Sequence, residues 1–263
     1  MKLRSLILAM AGLIYMSAPT ASEPVSFDVT VFSNEPVTLV GDLAKPSGSG
    51  PFAAVVMLHG CGGMTPRWGD AWSERLVSWG YVALQVDSFR PRGRDKGVCS
   101  EPYAVGPQER AADAHAAKAY LATLPYIDKA RIAVLGMSHG GWSTLWAVQN
   151  THINEAVRVD PFKAAVTLYP YCLNTMTRLD APLLILIGEG DDWTPSYRCE
   201  AMKAEGPTRH KVVLKIYPGA SHTFDIAGRD LVYQGHVLKY DPVATKDAVA
   251  RTKAFLARHL GDG

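Results

Sequence analysis

The chain has 263 residues, of which 48% are hydrophobic and 20% charged, as in an ordinary globular protein with a sizeable core. Its formal net charge is +2, and the two basic residues Lys2 and Arg4 both precede the first acid, Glu23. The rest of the chain carries 25 basic and 25 acidic residues, a balance that argues against nucleic acid or an anionic membrane surface as a partner.

The first 22 residues have the pattern of a secretory signal peptide. Lys2 and Arg4 form its positive end, residues 5–16 an apolar run, and residues 17–22 a cleavage region of small side chains. The run is short for a bilayer span, which needs about 20 residues, so cleavage is favoured over a retained anchor. We therefore expect residues 23–263 to be periplasmic or secreted, without membrane contact after cleavage.

The remaining segments predict two strands and then a regular alternation of strands and helices. The first strands, Val25–Ser33 and Val37–Lys45, precede a Pro- and Gly-containing loop. The later strands are predicted at Ala53–Leu58, Tyr81–Val86, Arg131–Met137, Lys163–Tyr169, Pro182–Gly188 and Lys211–Tyr217. The helices are predicted at Ala71–Trp79, Gln108–Leu124, Gly140–Gln149, Pro195–Ala204 and Asp247–Leu260.

This order of elements predicts one α/β domain over residues 23–263. The inner strands are continuous apolar runs, which is typical of parallel strands buried on both faces. Strands that alternate with helices place helices on both sides of the sheet. The active site of such a sheet lies beyond the carboxyl ends of its strands. Residues 223–243 have no firm pattern and are a candidate for a mobile rim.

A nucleophile motif follows the strand Arg131–Met137. The residues Gly136-Met137-Ser138-His139-Gly140 read G-x-S-x-G between a strand and a helix, the context of a strained turn that exposes a serine. The following helix directs its positive N-terminal end at developing negative charge. Ser138 is therefore the predicted nucleophile.

An acid and a histidine follow two later strands in the order that this kind of site requires. A serine hydroxyl needs a base to take its proton, and the base needs an orienting acid. Asp191 and Asp192 follow the strand Pro182–Gly188, and His222 follows Lys211–Tyr217. His222 is the predicted base and Asp191 the predicted acid. Asp192 remains an alternative, although it stands closer to the next helix and can cap it.

The oxyanion of an acyl-transfer reaction needs two hydrogen-bond donors. One is predicted to be the backbone N–H of His139, and the other that of Cys61, with Gly62 as the second choice. His59 precedes the turn that carries Cys61 and Gly62, and its side chain is expected to make a structural hydrogen bond. The other histidines lack metal-ligand spacing such as HExxH, so neither a metal nor another cofactor is expected.

The motifs LHGCGG, VDSFRPRG, GMSHGG, GEGDDWTP and GASHTF, in this order, resemble the dienelactone hydrolase family of α/β hydrolases. The resemblance extends from about Ala53 to His259. It implies an α/β-hydrolase fold with an eight-stranded, mostly parallel sheet, and hydrolysis of carboxylic esters or lactones. In that family the acid stands four residues before the proline of its loop, which favours Asp191.

Two departures from the family bear on the substrate. The dienelactone hydrolases of the family use a cysteine nucleophile, where this chain has Ser138, and they carry a glutamate where this chain reads His59-Gly60-Cys61. The resemblance therefore supports the reaction class more than dienelactone as the substrate. The alternatives are a prolyl-oligopeptidase-like peptidase and a catalytically silent binding protein on the same fold.

Two further expectations rest on the strand order of this fold. The strands before Cys61 and Cys99 are expected to be neighbours, as are those before Cys172 and Cys199, which favours the disulfides Cys61–Cys99 and Cys172–Cys199 in an oxidising compartment. The loop after Tyr81–Val86 carries three arginines that could bind a carboxylate of a small-molecule ester substrate. A solvated basic loop is the equal alternative. The arginines are Arg90, Arg92 and Arg94.

Overall fold

The computed structural model describes residues 22–31, 35–149, 160–172, 178–205 and 212–262. The predicted signal peptide lies outside these residues except for its last one, Ser22. Within them, no helix combines the length and apolar composition that a bilayer span needs.

Eight strands form one sheet, in the spatial order β1-β2-β4-β3-β5-β6-β7-β8. β1 pairs antiparallel with β2, β2 pairs antiparallel with β4, and the other neighbours are parallel. The strands are β1 (Glu23–Val29), β2 (Val37–Ala44), β3 (Phe52–Leu58), β4 (Val82–Asp87), β5 (Ile127–Met137), β6 (Ala165–Leu168), β7 (Leu183–Gly188) and β8 (Val212–Tyr217).

Helices cover both faces of this sheet, as predicted. α2 and α3 pack against each other and over β3 and β5, whereas α1 packs on β4 and α5 on β5 and β7. The inner strands β4, β6 and β7 are buried at every residue, which explains their continuous apolar sequence. The helices are α1 (Pro66–Ser78), α2 (Pro107–Leu121), α3 (His139–Ala147), α4 (Ser196–Glu205) and α5 (Pro242–Leu260).

Two helices begin five residues earlier than predicted, each at a proline. α1 starts at Pro66 and α5 at Pro242. Proline is favoured at the first helical position because its fixed φ suits the helix and its missing N–H would be unpaired there. Asp241 caps α5 by accepting hydrogen bonds from the next two N–H groups of the helix. The Asp-Pro pair was therefore the signal for this helix start.

Residues 223–243, for which no element was predicted, contain a small hairpin. β9 (Asp230–Tyr233) pairs antiparallel with β10 (His236–Lys239), apart from the main sheet. Gln234 and Gly235, with φ of 50° and 86°, form the two-residue turn, and hairpin turns of this kind need positive φ at both positions. The short strands have mostly exposed side chains, so the sequence pattern was weak.

Candidate active site

Ser138 stands on a tight turn between β5 and α3. Its φ of 52° lies in the left-handed region, which costs a non-glycine residue about 1–3 kcal/mol. Glycines permit this turn: a Cβ on Gly136 would collide with Thr144 Oγ1, and one on Gly140 would collide with the Leu58 carbonyl oxygen. The motif glycines are thus required by close packing of the strand, the turn and the helix.

The three residues predicted to act together form a continuous chain of hydrogen bonds. Ser138 Oγ lies 3.0 Å from His222 Nε2, and His222 Nδ1 lies 2.8 Å from Asp191 Oδ2. They follow β5, β8 and β7, whose carboxyl ends share one edge of the sheet. His222 and Asp191 are 1% and 3% exposed, so water does not compete for the bond between them.

The two candidate acids, Asp191 and Asp192, have different contacts in the structure. Asp191 is held by the loop that follows it, since its Oδ1 accepts from the N–H groups of Trp193 and Thr194 at 3.0 and 2.8 Å. Asp192 is exposed and turns to the hairpin, where it accepts from the Val237 N–H at 3.3 Å. Only Asp191 contacts the predicted base.

The residues that carry the two predicted oxyanion donors are both close to the nucleophile in the structure. His139 is the first residue of α3, so its N–H has no partner within the helix. Cys61 lines the cavities at Ser138, and its carbonyl oxygen accepts from the Val98 N–H at 2.8 Å. The peptide that carries the Cys61 N–H is held through its other end, since the Gly60 carbonyl oxygen accepts from the Gly63 N–H at 3.2 Å. Gly62, the alternative donor, lines one of these cavities as well.

A buried arginine that was not predicted from the sequence, Arg110 on α2, joins the turns that carry the two predicted oxyanion donors. Its guanidinium donates to His139 Nδ1 and to the His59 carbonyl oxygen, both at 2.7 Å, and lies over the Phe89 ring. A guanidinium only donates, so His139 carries its proton on Nε2, which donates to the Pro102 carbonyl oxygen at 2.7 Å. The turns that carry the predicted donors are therefore tied together.

This arrangement keeps both histidine rings neutral. Burial, followed by the charge of Arg110, lowers the pKa of His139 to about 3. The same two causes hold the pKa of His59 well below its usual value. The His59 ring bonds to the Gly60 carbonyl oxygen and to the Ser88 N–H, contacts of the structural kind that were expected of it.

The low pKa of His139 predicts acid-dependent stability. Below about pH 6.5 His139 becomes protonated in the unfolded chain, whereas in the folded protein it stays neutral down to about pH 3. The free energy of unfolding therefore decreases as the pH is lowered through this range. His139→Gln lacks this contribution, which amounts to about 1.4 kcal/mol per pH unit. Between pH 6 and pH 4, urea unfolding should show the wild type losing about 2–3 kcal/mol more than the variant. Equal losses of unfolding free energy in the wild type and in His139→Gln would contradict the low pKa of His139.

Two cavities open beside Ser138. The first, which we call the hairpin cavity, has a volume of about 170 Å³. It is lined by Gly60–Gly63 and His222 and by side chains of the predicted rim, namely Thr223, Ile226, Arg229, Leu231, Tyr233 and Leu238. Trp193 connects the site to the hairpin by stacking on the His236 ring at 4.7 Å between centroids. Residues 223–243 thus border the site, as expected of a rim.

The second cavity, which we call the aromatic cavity, lies on the other side of Ser138 and has a volume of about 190 Å³. Its lining comprises Cys61, Cys99, Pro102, Tyr103, Ser138, His139, Trp142, Tyr171, Trp193 and Thr194. Cys61, Cys99, Ser138 and Trp193 line both cavities. Its aromatic residues come from four separate segments, so no local sequence pattern predicts this cavity.

The structure contains the disulfides Cys61–Cys99 and Cys172–Cys199, the pairing that the strand order favours. The first crosses between the two cavities and ties the predicted oxyanion turn to the loop after β4. No cluster of three or more His, Cys, Asp or Glu side chains in the described residues is arranged to hold a metal.

The arginines Arg90, Arg92 and Arg94, which were predicted to bind a substrate carboxylate, lie outside the two cavities at Ser138. Each guanidinium meets a nearby carboxylate, which satisfies its charge locally. The pairs are Arg90–Asp87, Arg92–Asp113, Arg92–Glu109 and Arg94–Glu101. Arg229 on the rim, which sequence reasoning passed over, lines the hairpin cavity instead.

The model of the dienelactone hydrolase family matches residues 39–260 of this sequence. The chain belongs to the dienelactone hydrolase family. As a member of the family it is a carboxylic-ester hydrolase. The family match spans all three hydrogen-bonded residues of the site and both of its cavities.

Individual relatives agree with membership of the dienelactone hydrolase family. A Bradyrhizobium sp. protein named probable 2-oxo-3-(5-oxofuran-2-ylidene)propanoate lactonase is 24% identical over 91% of this chain and 97% of its own length. A dienelactone hydrolase-like promiscuous phosphotriesterase from metagenomic libraries has 20% identity and a TM-score of 0.70, over 92% of this chain and all of that one.

A third relative is esterase 2 of Thermogutta terrifontis, solved after phosphorylation by paraoxon. It has 20% identity and a TM-score of 0.69, over 96% of this chain and 99% of its own. At these identities the structural likeness establishes the α/β-hydrolase fold, which confirms the fold predicted from the sequence.

Proposed function

We propose that this protein is an exported serine hydrolase that cleaves carboxylic esters, lactones included, through an acyl-enzyme on Ser138. The observation that carries the proposal is the buried hydrogen-bond chain from Ser138 Oγ through His222 to Asp191. Its members follow the order nucleophile, acid and base along the chain, which is usual for this fold.

In the first step, His222 Nε2 takes the Ser138 proton as Oγ attacks the ester carbonyl carbon. This step requires an unprotonated Nε2, and Asp191 favours that state because its Oδ2 accepts the proton held on Nδ1. The carbonyl oxygen becomes an oxyanion, which the N–H groups of Cys61 and His139 stabilise. The N-terminal end of α3 adds favourable electrostatic potential.

In the second step, His222 gives its proton to the leaving alcohol oxygen, and the acyl group remains on Ser138. Water then enters, His222 takes a proton from it, and a second oxyanion forms at the same donors. Collapse of that intermediate releases the carboxylic acid and returns the proton to Ser138 Oγ. In a lactone the acid and the alcohol remain one molecule.

The size of the site suits small substrates. Cavities of about 170 and 190 Å³ are each larger than the cavity of about 150 Å³ that holds benzene in another protein. The two together accommodate a small acyl group and a small alcohol group on either side of Ser138. The lactonase and esterase names of the relatives agree with such substrates.

A fluorophosphonate probe and a panel of substrates test this proposal. The probe should add one phosphonyl group to Ser138, as seen by peptide mass spectrometry, and should abolish hydrolysis of p-nitrophenyl acetate. The relative that paraoxon phosphorylates supports the choice of probe. Faster cleavage of a peptide amide than of the esters would favour a peptidase instead, and turnover of neither would favour a binding protein.

Export is supported by the amino-terminal pattern and by the two disulfides, because disulfides persist mainly in oxidising compartments. Expression of the full chain in a bacterium, followed by fractionation, tests it. The protein should occur in the periplasm or medium with an amino terminus near Glu23. Non-reducing peptide mapping should find both cross-links. Full-length protein with four free thiols in the cytosol would refute export.

A further inference from the structure

The aromatic cavity is built around the indole of Trp142. This ring makes edge-to-face contacts with Tyr103, Tyr171 and His139, at centroid distances of 5.4, 5.4 and 5.5 Å. Edge-to-face contacts are the geometry that aromatic rings prefer among themselves. Trp142 is 5% exposed, whereas Tyr103 is 72% exposed and stands at the rim of the cavity. The cavity therefore offers aromatic surface next to Ser138.

The lining of the aromatic cavity carries no charge. Its residues within the described chain include no Asp, Glu, Lys or Arg, and the pKa of His139 is lowered to about 3. The hairpin cavity differs, since Arg229 contributes to its wall. A volume of about 190 Å³ exceeds what a benzene ring needs. A neutral ring thus fits the aromatic cavity in both size and chemistry.

The position of His222 decides which part of an ester occupies which cavity. His222 lines the hairpin cavity and not the aromatic cavity. Because His222 donates a proton to the leaving oxygen, the alcohol part of the ester must lie on its side. The acyl part then extends past Ser138 into the other cavity.

We propose that the aromatic cavity binds the acyl part of the substrate as a neutral aromatic ring, so that the preferred substrates are esters of small aryl-bearing carboxylic acids. This inference rests on the proposed function and specifies its substrate class. Recognition comes from contacts with the rings of Tyr103, Trp142 and Tyr171 that line this cavity.

Two matched pairs of esters test the proposal by steady-state kinetics. Methyl phenylacetate and methyl cyclohexylacetate differ only in the acyl ring, and benzyl acetate and cyclohexylmethyl acetate only in the alcohol ring. We expect kcat/KM to favour phenylacetate over cyclohexylacetate by about 2- to 10-fold, the scale of aromatic pair contacts. The alcohol pair should show no such preference.

Substitution of Tyr103 tests whether the preference for an aromatic acyl ring arises in the aromatic cavity. In Tyr103→Ala the ratio of kcat/KM for phenylacetate over cyclohexylacetate should fall, because one of the three aromatic rings is removed. In Tyr197→Ala, which removes a tyrosine that is 60% exposed on α4 and lines neither cavity, the ratio should stay at the wild-type value. An unchanged ratio in Tyr103→Ala, or an aromatic preference confined to the alcohol pair, would overturn the proposal.

Binding to Ser138→Ala separates this inference from the proposed function. The variant cannot form an acyl-enzyme, so intact methyl phenylacetate can be titrated and followed by the indole N–H signals of the protein in NMR spectra. Methyl phenylacetate should bind more tightly than methyl cyclohexylacetate, and Tyr103→Ala should weaken its binding. This result would support binding of the acyl ring in the aromatic cavity even if no ester is turned over. Ester turnover without preferential binding would overturn the inference and leave the proposed function standing.

Discussion

Ser138→Ala and His222→Ala should each lower kcat for a good ester substrate by about 10⁴-fold or more, the scale expected when one member of such a triad is removed. The first change removes the attacking oxygen, and the second removes the base that lies 3.0 Å from it. Because the two groups act as a unit, the double variant should be little worse than either single variant. Single-turnover kinetics would show the loss in the acylation step.

Suitable controls exist elsewhere in the chain. Ser78→Ala removes an exposed hydroxyl that donates to the Arg75 carbonyl oxygen, and His259→Gln changes a histidine near the end of α5. Both should keep wild-type kcat. Urea unfolding should show that the two site variants are folded. Substantial turnover by folded Ser138→Ala, or multiplicative losses in the double variant, would contradict a serine–histidine unit.

The triad was predictable because its parts depend on local signals and on one topological rule. The G-x-S-x-G motif requires glycines where β5, the turn and α3 meet closely. Asp191 and His222 each follow an apolar strand, and the carboxyl ends of parallel strands meet at one edge. Chain order and strand ends thus bring residues separated by 84 positions into hydrogen-bond distance.

The rest of the site depends on contacts that leave no local signal. Arg110 appears in the sequence as one polar residue of an alanine-rich helix, and only packing reveals that it is fully buried between His59 and His139. The carboxylate partners of the loop arginines could not be predicted either, because a partner such as Asp113 comes from a different element. The aromatic cavity likewise assembles from loops whose relative positions no periodicity encodes.

Asp191→Asn should lower kcat by about 10³- to 10⁴-fold, with little change in KM, because it forces the wrong tautomer on His222. Oδ1 of Asp191 accepts from two backbone N–H groups, so the amide oxygen of an asparagine must take that place. Its NH₂ group then faces His222 Nδ1 in place of Oδ2. Nδ1 would have to accept, which moves the ring proton to Nε2, where it blocks transfer from Ser138.

The neighbouring acid supplies the matched control. Asp192→Asn changes an exposed side chain that contacts the hairpin through the Val237 N–H and His236, and its effect on kcat should stay within about 2-fold, as for an exposed ion pair of low energy. Steady-state kinetics on both variants, with unfolding curves to establish that each is folded, gives the comparison. A severe loss in Asp192→Asn together with a mild one in Asp191→Asn would assign the orienting role to Asp192, against the 2.8 Å bond between Asp191 and His222.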